Sequence, residues 1–77
     1  MTAIKTLDKL KPKDKGTIVK IKGSGPLHRR LLDMGLVKGS PVAVVKIAPL
    51  GDPIDVKIRG YHLSLRKEEA SHIIVEY

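Results

Sequence analysis

Cysteine, phenylalanine and tryptophan are all absent from this 77-residue sequence, and its aromatic side chains are Tyr61 and Tyr77. Without cysteine there is no disulfide framework, thiolate metal centre or thiol nucleophile, and the chain suits a reducing compartment. Without aromatic platforms there is little on which unstacked bases can lie. The core must instead be assembled from 24 leucine, isoleucine and valine residues. No apolar run approaches the roughly 20 residues that span a bilayer. The start, Met1-Thr2-Ala3-Ile4-Lys5, leads into lysines rather than into the apolar stretch of a signal peptide. Together these absences read as a soluble cytoplasmic protein.

What the sequence has in excess is positive charge. Fifteen Lys and Arg residues oppose eight Asp and Glu, a formal balance of +7. Most of it sits early: seven lysines against Asp8 and Asp14 give residues 1–22 a net +5. Area scaling for a chain of this length predicts a folded surface of roughly 4,700 Å², with about 60% of the unfolded surface buried. That is enough for one domain, residues 1–77, and not for two.

Gly and Pro divide the chain into short elements. Leu7 and Leu10 are spaced for one helical turn, which Pro12 stops. Lys15-Gly16 opens a β-branched run over residues 17–22, the first predicted strand, ended by Gly23-Ser24-Gly25. Pro26 suits a first helical position, with Ser24 or Gly25 as cap. Leu27, Leu31 and Met34 then repeat at helical spacing, so residues 26–34 are predicted to form an amphipathic helix closed by Gly35.

Residues 42–48 form a second predicted strand whose apolar start implies cover on both faces. After the loop Pro49-Leu50-Gly51-Asp52-Pro53, residues 54–59 alternate apolar and charged, the pattern of a half-buried antiparallel strand. Residues 62–66 alternate again, Lys67-Glu68-Glu69-Ala70 reads as a helical turn, and residues 73–75 as a last strand. The fold class is therefore mainly β. About five strands with one inserted helix fit a small barrel, which also protects edge strands.

Chemistry-bearing constellations are sparse. His28, His62 and His72 are scattered and lack metal-ligand spacing, so no ligands are assigned. Ser24, Ser40, Ser64, Ser71 and Thr17 read as caps and turns, with neither a nucleophile-elbow setting nor a base partner. Glu68 and Glu69 lie about 100° apart on a helix and do not converge; first-turn acids favoured by the helix dipole explain them. Gly23-Ser24-Gly25 before a helix start is a weak anion-binding signal, since it lacks the phosphate-loop lysine. No catalytic residue, metal or cofactor is predicted. Lysines with Arg29-Arg30 can contact phosphates, but the shortage of aromatics argues against nucleic acid.

Two places are overbuilt for a fold alone. Leu50 stands at the tip of a loop between prolines, and loops on rigid scaffolds commonly carry binding. Leu32 lies about 100° off the Leu27/Leu31 stripe, and Leu36 follows the helix end. Leucines that do not fold back onto the core form an apolar contact patch.

In order and at these spacings, Leu7-x-x-Leu10, Gly16-Thr17-Ile18, Arg30-Leu31-Leu32-Asp33-Met34-Gly35-Leu36, Ala48-Pro49-Leu50-Gly51-Asp52-Pro53 and Leu63-Ser64-Leu65-Arg66-Lys67 resemble the FeoA family, small cytoplasmic proteins of bacterial ferrous iron uptake. The resemblance implies an SH3-like β-barrel with helical additions. It also implies a non-enzymatic accessory role at the cytoplasmic face of a FeoB-type iron permease, whose soluble part is a GTPase domain. The family has no agreed catalytic or metal-ligand residues to carry over. On this reading Arg29, Arg30, Leu32, Pro49 and Leu50 are the partner-binding candidates, and the chain is peripheral to the inner membrane through its partner. Self-association is left open. The alternative is a stand-alone SH3-like module, related to the carboxy-terminal domains of metal-dependent repressors or binding nucleic acid.

Overall fold

Glycine and proline punctuation places most elements near their predicted positions. The computed structural model describes residues 3–23 and 25–77. Along the chain come β1 (Ile4–Thr6), a 3-10 turn (Leu7–Lys9), β2 (Lys15–Ile21), α1 (Pro26–Asp33), β3 (Pro41–Ile47), β4 (Ile54–Ile58), β5 (Tyr61–Leu65), α2 (Lys67–Ala70) and β6 (Ile73–Glu76). The six strands form one sheet in the order β1-β6-β2-β3-β4-β5, antiparallel throughout.

Each alternating strand turns its apolar set inward. On β4, Ile54, Val56 and Ile58 are buried while Lys57 is exposed. On β2 and β6, Ile18, Ile21, Ile73 and Val75 do the same. Leu7 and Leu10 close the core from the 3-10 segment, and Leu31 and Leu36 from the helix and the turn after it. The accessible surface, 5026 Å², is close to the roughly 4,700 Å² that chain length predicts.

Two bulges shape the sheet. The register of β2 against β6 slips between Ile18 and Lys20, and that of β3 against β4 between Val44 and Lys46. An extra residue on one strand bends it and increases its twist, so Val19 and Val45 curl the sheet around its small core. The same bulge overturns one expectation. β3 is not covered on both faces: Val42 and Val44 are buried, but Val45 is 41% exposed and Lys46 is exposed with it. An apolar run interrupted by a bulge imitates a doubly buried strand.

The structure also holds a sixth strand. β1 is three residues long and pairs with β6, and reciprocal bonds between Ala3 and Tyr77, both 2.9 Å, extend the ladder. Too short to show a period of two, it exists because β6 offers it a free edge. β1 and β5 end the sheet, so the curved arrangement expected as a barrel is open between them. Ser24, considered above as a helix cap, lies outside the described residues.

Candidate functional site

The helix α1 is attached by one face. Leu31 is fully buried, Leu27 and Met34 pack partly against the core, and Arg29, Arg30, Leu32 and Asp33 are exposed. Gly25 precedes Pro26 with φ +83°, and Gly35 follows the helix with φ +92°. Gly35 is doubly constrained, because a Cβ there would overlap the Tyr61 hydroxyl. That hydroxyl donates to the Met34 carbonyl at 2.6 Å, so the start of β5 holds the helix end.

The loop between β3 and β4 is braced internally. Gly51 N–H donates to the Ala48 carbonyl at 2.7 Å, and Ala48 N–H to the Pro53 carbonyl at 3.1 Å; the Asp52–Pro53 peptide is cis. The bracing leaves Pro49 exposed and Leu50 96% exposed. Such a side chain makes almost no contribution to the fold.

Helix and loop are joined through α2. Its cap residue, Arg66, has no acceptor atom to offer the orphan N–H groups of the first turn. Other segments supply what it lacks. Glu69 Oε1 accepts from the Arg66 backbone N–H at 2.8 Å, and Asp52 Oδ1, from the loop, accepts from the Lys67 N–H at 3.0 Å. The second Glu69 oxygen meets Arg30 Nη1 at 3.3 Å, with the carboxylate side chain buried and the arginine side chain 64% exposed. A connected path therefore runs from Arg30 through Glu69 and the first turn of α2 to Asp52.

A shallow pocket of about 790 Å³ lies along α1, bordered by Gly23, Pro26, His28, Arg29, Arg30 and Leu32 among others. The His28 Nδ1 atom is buried without a hydrogen-bond partner among the described residues. The candidates thus fall into two groups: Arg29, Arg30 and Leu32 on the wall of this pocket, Pro49 and Leu50 on the loop tip. Leu32 is 39% exposed, whereas Leu36 is fully buried and leaves the proposed apolar patch. Glu69, Asp52 and Tyr61 were missed from sequence. A glutamate three residues into a helix is half of a capping signature, but arginine at the cap position hides it. Among the described residues no group of three or more His, Asp or Glu side chains converges as metal ligands. No helix among them is long and apolar enough to cross a membrane.

A small, curved, SH3-like β domain displaying a braced helix and a projecting loop is the class that fold and surface define. The sequence match is more specific. Residues 5–77 match the FeoA domain, and the chain belongs to that family, which takes part in ferrous iron transport. It is 43% identical over 70 residues to a fusion protein of Fe(2+) transport protein A and the Fe(2+) transporter FeoB from Porphyromonas gingivalis; the match covers 91% of this chain and 8% of that protein. The FeoA-like protein from Clostridium acetobutylicum is 40% identical, with a TM-score of 0.88 over 97% of this chain and 87% of that one. A zinc-complexed FeoA from Stenotrophomonas maltophilia, described as a prokaryotic SH3 domain protein, is 28% identical, with a TM-score of 0.79 over 97% and 88% of the two chains.

Proposed function

We propose that this chain is a non-enzymatic accessory module of ferrous iron uptake that docks on the cytoplasmic part of a FeoB-type permease and modulates it. The observation that carries the reading is the Porphyromonas gingivalis fusion, in which a relative of this domain and the transporter share one polypeptide. Fusion gives two modules a high effective concentration; a separate chain must generate the same encounter through its surface. Leu50, 96% exposed on a loop braced through Asp52 and Gly51, suits that task because the loop backbone is ordered before binding. Arg29 and Arg30 supply charge-assisted bonds to an acidic partner surface, and Leu32 adds apolar area beside them.

The test is binding of the purified chain to the soluble GTPase domain of the cognate permease. Leu50→Asp is expected to weaken it by about 2 kcal/mol, roughly 30-fold, with thermal stability unchanged. Undiminished binding with Leu50→Asp removes the loop from the interface. Absence of binding by the unaltered chain to both the domain and the full permease removes the reading itself.

A further inference from the structure

A second cationic surface lies on the outer face of the sheet and does not depend on the proposal above. The registers Lys15↔Ala43, Ala43↔Lys57 and Lys57↔His62 run one row of side chains across β2, β3, β4 and β5. Directly opposed residues project to the same face. Lys15, Lys57 and His62 are exposed, and Ala43 between the lysines is half-buried. The two lysine-bearing strands are two strand spacings apart, about 10 Å, and the small Ala43 leaves a trough between them. Arg59, at the turn joining β4 to β5, closes one end. The trough is about 290 Å³ in volume, with Lys15, Gly16, Ala43, Lys57, Arg59 and Gly60 on its lining.

Two features suit it to an anion. First, Lys15, Lys57 and Arg59 take part in no ion pair among the described residues; the pair found there is Arg30 with Glu69. The nearest carboxylates by register are Asp55, two residues before Lys57 and opposite Lys46 and Ser64, and Glu76, opposite Thr17 in the row beside Lys15. Second, Arg59 is preset. Its Nη2 donates to Oγ of the fully buried Ser40 at 3.3 Å, and its backbone sits at φ +47° in the two-residue hairpin turn between Ile58 and Tyr61, where both turn residues take positive φ.

Like charges facing one another across a sheet repel, and an anion seated on Ala43 would convert that repulsion into attraction. Arginine's fork matches phosphate oxygens, and lysines contribute mobile point charges. We propose that this trough is a binding site for a phosphate-class anion, with Lys15, Lys57 and Arg59 as its cationic contacts. The ligand is a free or nucleotide-borne polyphosphate or a phosphomonoester lipid headgroup, which share this chemistry.

The experiment is an amide NMR titration of the full chain with sodium pyrophosphate, ionic strength being held constant with sodium chloride. Saturable shifts are expected at Gly16, Ala43, Lys57 and Gly60. Lys57→Gln and Arg59→Gln should each weaken binding about tenfold, the worth of one charge-assisted contact, while Lys22→Gln leaves it unchanged. Shifts that spread over the lysine-bearing segments without saturating, or an equal loss from Lys22→Gln, overturn the proposal. Competition then assigns the source. Displacement of pyrophosphate by GTP supports a nucleotide, and displacement by phosphatidylcholine vesicles doped with phosphatidic acid supports a headgroup. If neither displaces it, pyrophosphate is an adventitious ion only and the proposal falls.

Discussion

Replacing Glu69 tests whether α2 is held by its cap or by its ion pair. The carboxylate is 5% exposed, accepts the Arg66 N–H at 2.8 Å and meets Arg30 at 3.3 Å. Losing the cap bond costs about 1 kcal/mol. The guanidinium is 64% exposed, so solvent screening limits the pair to about 0.5 kcal/mol. Removing the buried stem of the side chain adds about 0.5 kcal/mol at this partly collapsible site. Glu69→Ala should therefore destabilise by about 2 kcal/mol, and in a domain of this size each kcal/mol lowers the melting temperature by about 4–8 °C. A fall of about 10 °C is expected by circular dichroism or calorimetry. Glutamine at the same position still accepts the N–H, so Glu69→Gln should cost only about 0.5 kcal/mol, and Arg30→Ala about the same. Equal losses from Glu69→Gln and Glu69→Ala would refute the capping argument and make the charge the holding force. Equal losses from Arg30→Ala and Glu69→Ala would assign the effect to the pair.

Two more substitutions separate fold from surface. Gly35→Ala forces a Cβ into a left-handed residue and against the Tyr61 hydroxyl, so it should destabilise by about 2 kcal/mol or more; thermal denaturation checks it, and an unchanged melting temperature would deny the helix-end anchor. Leu36→Ala, at a fully buried position, should cost about 3 kcal/mol, whereas Leu32→Ala, 39% exposed, should stay near 0.5 kcal/mol while weakening partner binding, as chemical denaturation and the GTPase-domain binding assay will show.

Legibility in the sequence followed the range of the forces involved. α1 was readable because Pro26, the Leu27/Leu31/Met34 spacing and Gly35 are local signals, and its observed end at Asp33 lies one residue short of the expected one. β4 was readable because its alternation is strict. β1 was not, since three residues have no measurable period and their reason for pairing lies seventy residues away on β6. Val45 was misread because a bulge depends on the neighbouring strand. The loop tip was legible as an exposed leucine between prolines, but its bracing was not: Asp52 is an ordinary loop residue until the fold brings it to the Lys67 N–H. Apart from the local bond between Glu69 and the Arg66 N–H, the path from Arg30 to Asp52 is assembled from tertiary contacts, which single-sequence patterns do not encode.

The same distinction changes the meaning of the net charge. Asp14, Asp52 and Glu69 each accept a backbone N–H, from Lys11, Lys67 and Arg66 respectively, so three of the eight acids serve local structure. The seven lysines of residues 1–22 are all exposed, and among the described residues none is in an ion pair. Acids tied to N–H groups still carry charge, but they are fixed in position, while the lysine ammonium groups, apart from that of Lys5 over the Tyr77 ring, remain free to orient toward whatever approaches. The surface thus presents mobile cations over a scaffold in which part of the negative charge is already engaged. Such a field steers anionic partners toward the molecule and sets encounter rates rather than the fold. Two cations differ from these lysines in being held by side chains of the fold, Arg30 by Glu69 and Arg59 by Ser40.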